Sequence, residues 1–114
     1  MSFTPPNEEL DSITKEIELV SHQVDIAREA YLIQDEKYEN EFACTQLTVK
    51  ANNPDATQTD IKAEAVKATH AVRLEVIAAD SVYKSAQNRL RALRDRLDAL
   101  REISFNLRAE SKIR

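Results

Sequence analysis

Apolar residues fall along the first half of the chain at Leu10, Ile13, Ile17, Val20, Val24, Ala27 and Tyr31, in steps that alternate between three and four. Such steps average to the 3.5-residue period of a helix packed along a partner helix. Near Asp35 the pattern slips, then resumes at Tyr38, Phe42, Thr45 and Val49. A second run reads Ile61, Ala65, Ala68 and Val72, slips near Glu75, and continues as Val76, Ala79, Tyr83, Ala86, Leu90, Leu93, Leu97 and Leu100, with Leu107 one heptad on. Between the runs lies ANNPDAT, residues 51–57, where Pro54 cannot sit inside a helix without cost and Asn52 and Asn53 favour turns. The pattern predicts helix 1 over about 5–50, a turn at about 51–57 and helix 2 over about 58–110, one helical-hairpin domain spanning 1–114.

End signals agree with these bounds. Thr4 or Asn7 can cap helix 1, Pro5 and Pro6 are tolerated in a first turn, and Glu8, Glu9 and Asp11 suit the positive end of the helix dipole. Thr57 followed by Asp60 resembles a capping box with Asp in place of Glu.

Folding helix 2 back on helix 1 about Asp55 makes facing residues carry numbers that sum to about 110. Leu10 then meets Leu100, Ile13 Leu97, Ile17 Leu93, Val20 Leu90, Val24 Ala86, Ala27 Tyr83 and Tyr31 Ala79. Beyond the slip Tyr38 meets Val72, Phe42 Ala68 and Val49 Ile61, and Phe3 falls opposite Leu107. Two unrelated helices have no reason to share one register. The expected fold is all-α, a long antiparallel two-helix coiled-coil hairpin, roughly 70 Å from end to end at 1.5 Å per residue.

A hairpin leaves half of each helix uncovered, and a second apolar stripe runs there: Leu19, Ile26, Ala30 and Ile33 on helix 1, and Leu74, Ala78, Val82, Ala92, Ala99 and Ile103 on helix 2. Such a strip marks an interface, with self-association into a four-helix bundle or larger oligomer as the expected outcome and a heterologous protein partner as the alternative. Helix 2 could also break and fold on itself, but no glycine or proline marks a break there.

Composition narrows the function classes. The chain has 114 residues with no glycine and three prolines, whereas an ordinary domain carries about 7% glycine, so sheet-rich folds and glycine loops that cradle phosphate are disfavoured. The net charge of −4 gives no global positive field for nucleic acid. One cysteine, Cys44, allows no internal disulfide and fits a reducing compartment. No signal peptide follows Met1, and no apolar window reaches the roughly 20 residues of a membrane helix, so the expectation is a cytoplasmic protein without membrane contact.

Little catalytic chemistry is legible. His22 and His70 do not make the Glu-x-x-His motif of a bundle di-iron site, and two histidines and one cysteine are few for zinc, so no metal and no cofactor is expected. Cys44 and His70 could approach across the hairpin, but nothing supplies a pocket or oxyanion donors, and the plain reading is a thiol and a surface histidine. Tyr31, Tyr38 and Tyr83 lie on the core stripe and read as packing residues rather than a stacking platform for bases. No enzyme activity is expected.

Two charged segments remain. Asp35, Glu36, Glu39 and Glu41, within DEKYENE, form the densest acidic patch, a solvated face or a docking surface for a basic partner. In QNRLRALRDRLDALRE the register sets Arg94 opposite Glu16 and Arg101 opposite Glu9, while Arg91 can reach Asp95 and Arg94 can reach Asp98. Arg89, Arg96, Arg108, Lys112 and Arg114 stay less committed and form a candidate basic tip for nucleic-acid or partner contact.

Helix 2, especially AADSVYKSAQNRLRALRDRLDALREISFNLRAE, with its Ala-Asp-x-x-Tyr-Lys start and Leu/Arg heptads, resembles small uncharacterised helical proteins of tailed-phage genomes encoded near recombination and replication genes. The resemblance covers roughly half the chain and implies an accessory role in phage DNA metabolism in the host cytoplasm, without any catalytic residue. The expected function is therefore non-enzymatic binding and assembly. The alternatives are an inhibitor of a host protein acting through the acidic face, and a structural or adaptor part of a virion.

Overall fold

A computed structural model describes residues 6–113, with side-chain surroundings for residues 8–110. It contains three helices, α1 (Pro6–Asn52), α2 (Gln58–Ala68) and α3 (His70–Ile113), and no strand among the described residues. The fold is all-α, a helical hairpin. The expected cap at Thr4 and the Phe3–Leu107 contact lie outside the described residues.

α1 ends two residues later than the sequence predicts, because Asn53 N–H still donates to Val49 O at 2.9 Å. The chain then reverses: Ala56 N–H donates to Asn53 O at 3.0 Å, and the Lys50 ammonium caps the free Pro54 carbonyl at 2.9 Å. Thr57 adopts extended backbone, φ −76 and ψ 160, and its hydroxyl accepts from Asp60 N–H at 3.2 Å. That is the N-cap expected from the Thr-x-x-Asp spacing.

Helix 2 is not continuous. It is interrupted at Thr69, with φ −103 and ψ 12. The interruption does not fold the chain back, since Thr69 N–H still donates to Ala65 O at 3.0 Å and Arg73 N–H to Thr69 O at 2.9 Å. The cause is a threonine whose buried hydroxyl also donates to Ala65 O, at 2.7 Å. Such bonding back to the preceding turn bends helices without needing glycine or proline.

The chain divides into two compact units. The first joins residues 1–25 to 84–114. Its core is Val20, Leu90 and Leu93, with Ile17 and Val24 packed against them and Ile13 also buried. Writing the heptad with a at 10, 17 and 24 and d at 13 and 20 on α1, α3 places a at 90 and 97 and d at 86, 93 and 100, and all these positions are buried or half-buried. Leu107, expected on this seam, is exposed, and Ser104 turns inward instead. The heptad continued from Leu97 puts its a position at 104.

The second unit is residues 26–83. Ala27, Ile61, Ala65, Thr69 and Val76 are buried there, and Tyr31 stacks on Tyr83 with ring centroids 6.2 Å apart. Ala68, expected inside, is exposed, and Thr69 takes its place. The inward residues Ile61, Ala65 and Thr69 thus run in two successive steps of four, before Val72 and Val76 restore the three–four alternation. α1 does the same at Gln34, Tyr38 and Phe42. Two steps of four locally unwind a supercoil, and both irregularities fall at one height of this unit. Arg73 covers them, its guanidinium 5.3 Å from the centroid of the Tyr38 ring, which in turn lies 5.9 Å from Phe42.

Candidate interaction surface

The ion pairs fix which flanks face each other. Arg96 bonds Glu9 at 3.0 Å and Arg89 bonds Glu16 at 3.3 Å in the first unit, and Lys37 approaches Glu75 at 3.8 Å in the second. Glu9, Glu16, Arg89, Arg96 and Glu75 each precede an a position, the g sites of the heptad, and g faces g in an antiparallel pair.

This corrects the pairing read from the sequence. Arg94 does not hold Glu16, and Arg101 does not hold Glu9; their acids are taken by Arg89 and Arg96, the two arginines expected to be uncommitted. The reason is that a numerical sum gives height along the hairpin but not flank. Arg94 and Arg101 follow d positions and so lie on the opposite, e flank, where the facing row of α1 holds Ser21 and Thr14 rather than acids. Nor are Arg91–Asp95 and Arg94–Asp98 closed to ion-pair distance among the described residues. Arg94, Arg101 and Arg108 thus form an exposed row at heptad spacing, about 10 Å apart at 1.5 Å per residue. Arg114 and the side chain of Lys112 lie outside the described residues.

All ten residues of the second apolar stripe are exposed. Leu19, Ile26 and Ile33 keep 55–58% of their surface in solvent, and Val82 keeps 61%. The heptad places Leu19, Ile26, Ile33, Ala78, Ala92 and Ala99 at c, with Ala30, Val82 and Ile103 at g. Since c adjoins g, and g faces g across the seam, in each unit these residues share one side of the hairpin. Leu74 alone is set off toward the back of α3.

The acidic segment is narrower than its composition suggests. Asp35 and Glu41 are half-buried beside the seam, while Glu36 and Glu39 are exposed. The slip buries the amide oxygen of Gln34 without a hydrogen-bond partner. Cys44, His22 and His70 are exposed, and no hydrogen bond joins Cys44 to His70. A cleft beside the turn, lined by Val49, Asn53, Ala56, Asp60 and Glu64, opens to solvent. Among the described residues there is no cluster of three metal-ligating side chains, and no helix long and apolar enough to cross a membrane.

No family model, no curated protein and no solved structure matches the chain. The residues that stand out for chemistry of binding are therefore the apolar c–g side and the arginine row on the e flank, reached from this chain alone.

Proposed function

We propose that the protein is a non-enzymatic helical interaction factor, which works by covering its apolar c–g side with another protein surface. The observation that carries this reading is the concentration of large, exposed apolar residues on one flank, Leu19, Ile26, Ile33, Val82 and Ile103. Solvated helix faces scatter such residues singly, whereas rows of them mark surfaces that are covered in use. The resemblance of helix 2 to phage helical proteins supports a role as an accessory factor in phage DNA metabolism, in the host cytoplasm.

Chemical crosslinking of the tagged protein in its expressing cells tests the reading, with Ile26→Lys and Ile33→Lys combined as the control. The wild type is expected to give crosslinked protein species that the control loses while keeping its helical circular dichroism. Identical patterns from the two, or no crosslinked protein from the wild type, overturn it.

A second reading is favoured by the unpaired e row. Arg94, Arg101 and Arg108 offer three guanidinium groups on one line, spaced to reach successive phosphates of a nucleic-acid strand. Gel-shift titrations at low and moderate salt should show salt-sensitive binding that Arg94→Glu with Arg101→Glu weakens at least tenfold. Absence of binding at low salt removes this reading.

A further inference from the structure

We propose that the occupant of the c–g side is a second copy of this chain, docked on the Ile26–Tyr83 unit about a twofold axis parallel to its helices, with α1 of each copy lying across α3 of the other. The inference rests on the reading above and names its partner. Three observations on this unit converge.

The first is shape. On the g rows Ala30 lies at the height of Val82, and on the c rows Ile33 lies at the height of Ala78. Large is thus level with small at both places. A twofold axis along the helices brings Ile33 of one copy over Ala78 of the other, and the reverse, so each large side chain enters the space above a small one. The surface is complementary to itself, as an isologous contact requires. A twofold axis across the helices would instead set Ile26 and Ile33 against their own copies on one side and alanine against alanine on the other, which splays the two hairpins.

The second is charge. α1 carries eleven carboxylates against four cations, and α3 carries six carboxylates against nine cations. Laying α1 over α3 of the partner gives every helix neighbours of opposite sign. Laying α1 over α1 sets two strongly acidic helices together, and like-charge juxtaposition disfavours wrong arrangements.

The third is where charge drops out of the g rows. On α1 the row reads Glu9, Glu16, Gln23, Ala30, Lys37, and on α3 it reads Arg96, Arg89, Val82, Glu75. The g rows would occupy the middle of the contact, where a buried ion pair loses its hydration. Only around Ala30 and Val82 is that middle free of charge, and there the c rows supply Ile33 and Ala78. The Lys37–Glu75 pair then sits at the rim, half exposed as rim pairs are.

Disulfide trapping of the full-length protein tests the arrangement. Exposed Cys44 is first removed by Cys44→Ser. In that background Ile33→Cys and Ala78→Cys are made separately, and each is oxidised alone and as an equimolar mixture. The mixture is expected to yield a reducible crosslinked dimer in at least tenfold excess over either variant alone, since only α1 against α3 brings positions 33 and 78 of two copies to disulfide distance. Self-crosslinking of Ile33→Cys overturns the arrangement. So does the lack of any crosslink while sedimentation still shows a dimer; the apolar side then remains an interface with a different geometry. A wild-type protein that sediments as a monomer at tens of micromolar overturns the second copy as partner, and leaves the crosslinking in cells to decide whether another protein takes its place.

Discussion

Val20 and Ile33 are both β-branched aliphatics on α1, and the structure gives them opposite roles. Val20 is fully buried between Leu90 and Leu93, whereas Ile33 keeps 58% of its surface exposed. Leu90→Ala, which opens a cavity in the same cluster, should cost about 2–3 kcal/mol of unfolding free energy, the lower part of the core range because a two-helix seam collapses readily. Ile33→Ala should change the stability of the folded chain by less than about 0.5 kcal/mol. Urea unfolding below the concentration at which copies associate separates the two. Thr69 is the third instructive residue. Thr69→Val keeps its shape and the Thr69 N–H bond to Ala65 O but removes the second donor to that carbonyl. Stability should stay within about 1 kcal/mol of the wild type while the helix straightens, read as a rise in far-ultraviolet ellipticity.

At the scale of elements, the turn and its cap were open to sequence reasoning because their signals are local. Pro54 and the Thr57–Asp60 spacing act within one turn of helix, and the cap forms as expected. Thr57→Ala should therefore lower stability by about 1 kcal/mol in thermal unfolding. The seam of α1 from Leu10 to Tyr31 was equally legible, since every member is apolar and the period is regular. The second irregularity was harder to place. A search for apolar residues selects Ala68 over Thr69, yet the threonine turns its hydroxyl onto its own helix and its methyl into the core. The arginine pairs failed for another reason: height is encoded in a sum of residue numbers, but flank is encoded in heptad letter, and only the second decides whether Arg89 or Arg94 meets Glu16. A double-mutant cycle on Glu16 and Arg89 should give a coupling of about 0.2–1 kcal/mol, with none between Glu16 and Arg94.

At the scale of the whole molecule, charge is divided by helix rather than by domain. An acidic α1 and a basic α3 favour their own antiparallel pairing first. They also favour α1 against α3 in any assembly of several copies, so the strength of self-association should fall as salt is raised from about 50 to 500 mM, where the screening length drops from above 10 Å to a few Å. An assembly held by apolar contact alone would hold or tighten, and sedimentation equilibrium at the two salts distinguishes them. The arginine row on the e flank lies on the other side of the seam from the c–g face. A protein that forms the proposed dimer would therefore still display Arg94 and Arg101 to solvent, and nucleic-acid binding, where it occurs, should survive dimerisation.

The tight reversal at Asn53–Thr57 also sets an order of assembly. Closing Val49 onto Ile61 spans only a short stretch of chain, whereas the Glu16–Arg89 and Glu9–Arg96 pairs join residues 73 and 87 positions apart. Once the turn has formed, each further layer adds only the next few residues to a closed loop, so the hairpin should zip from the turn toward its free ends. Opening should run the other way. Amide exchange should then be fastest near Glu9 and Arg101 and slowest around Ala65 and Val76, a gradient that makes the open end of the hairpin the part a protease or an unfoldase can grip first.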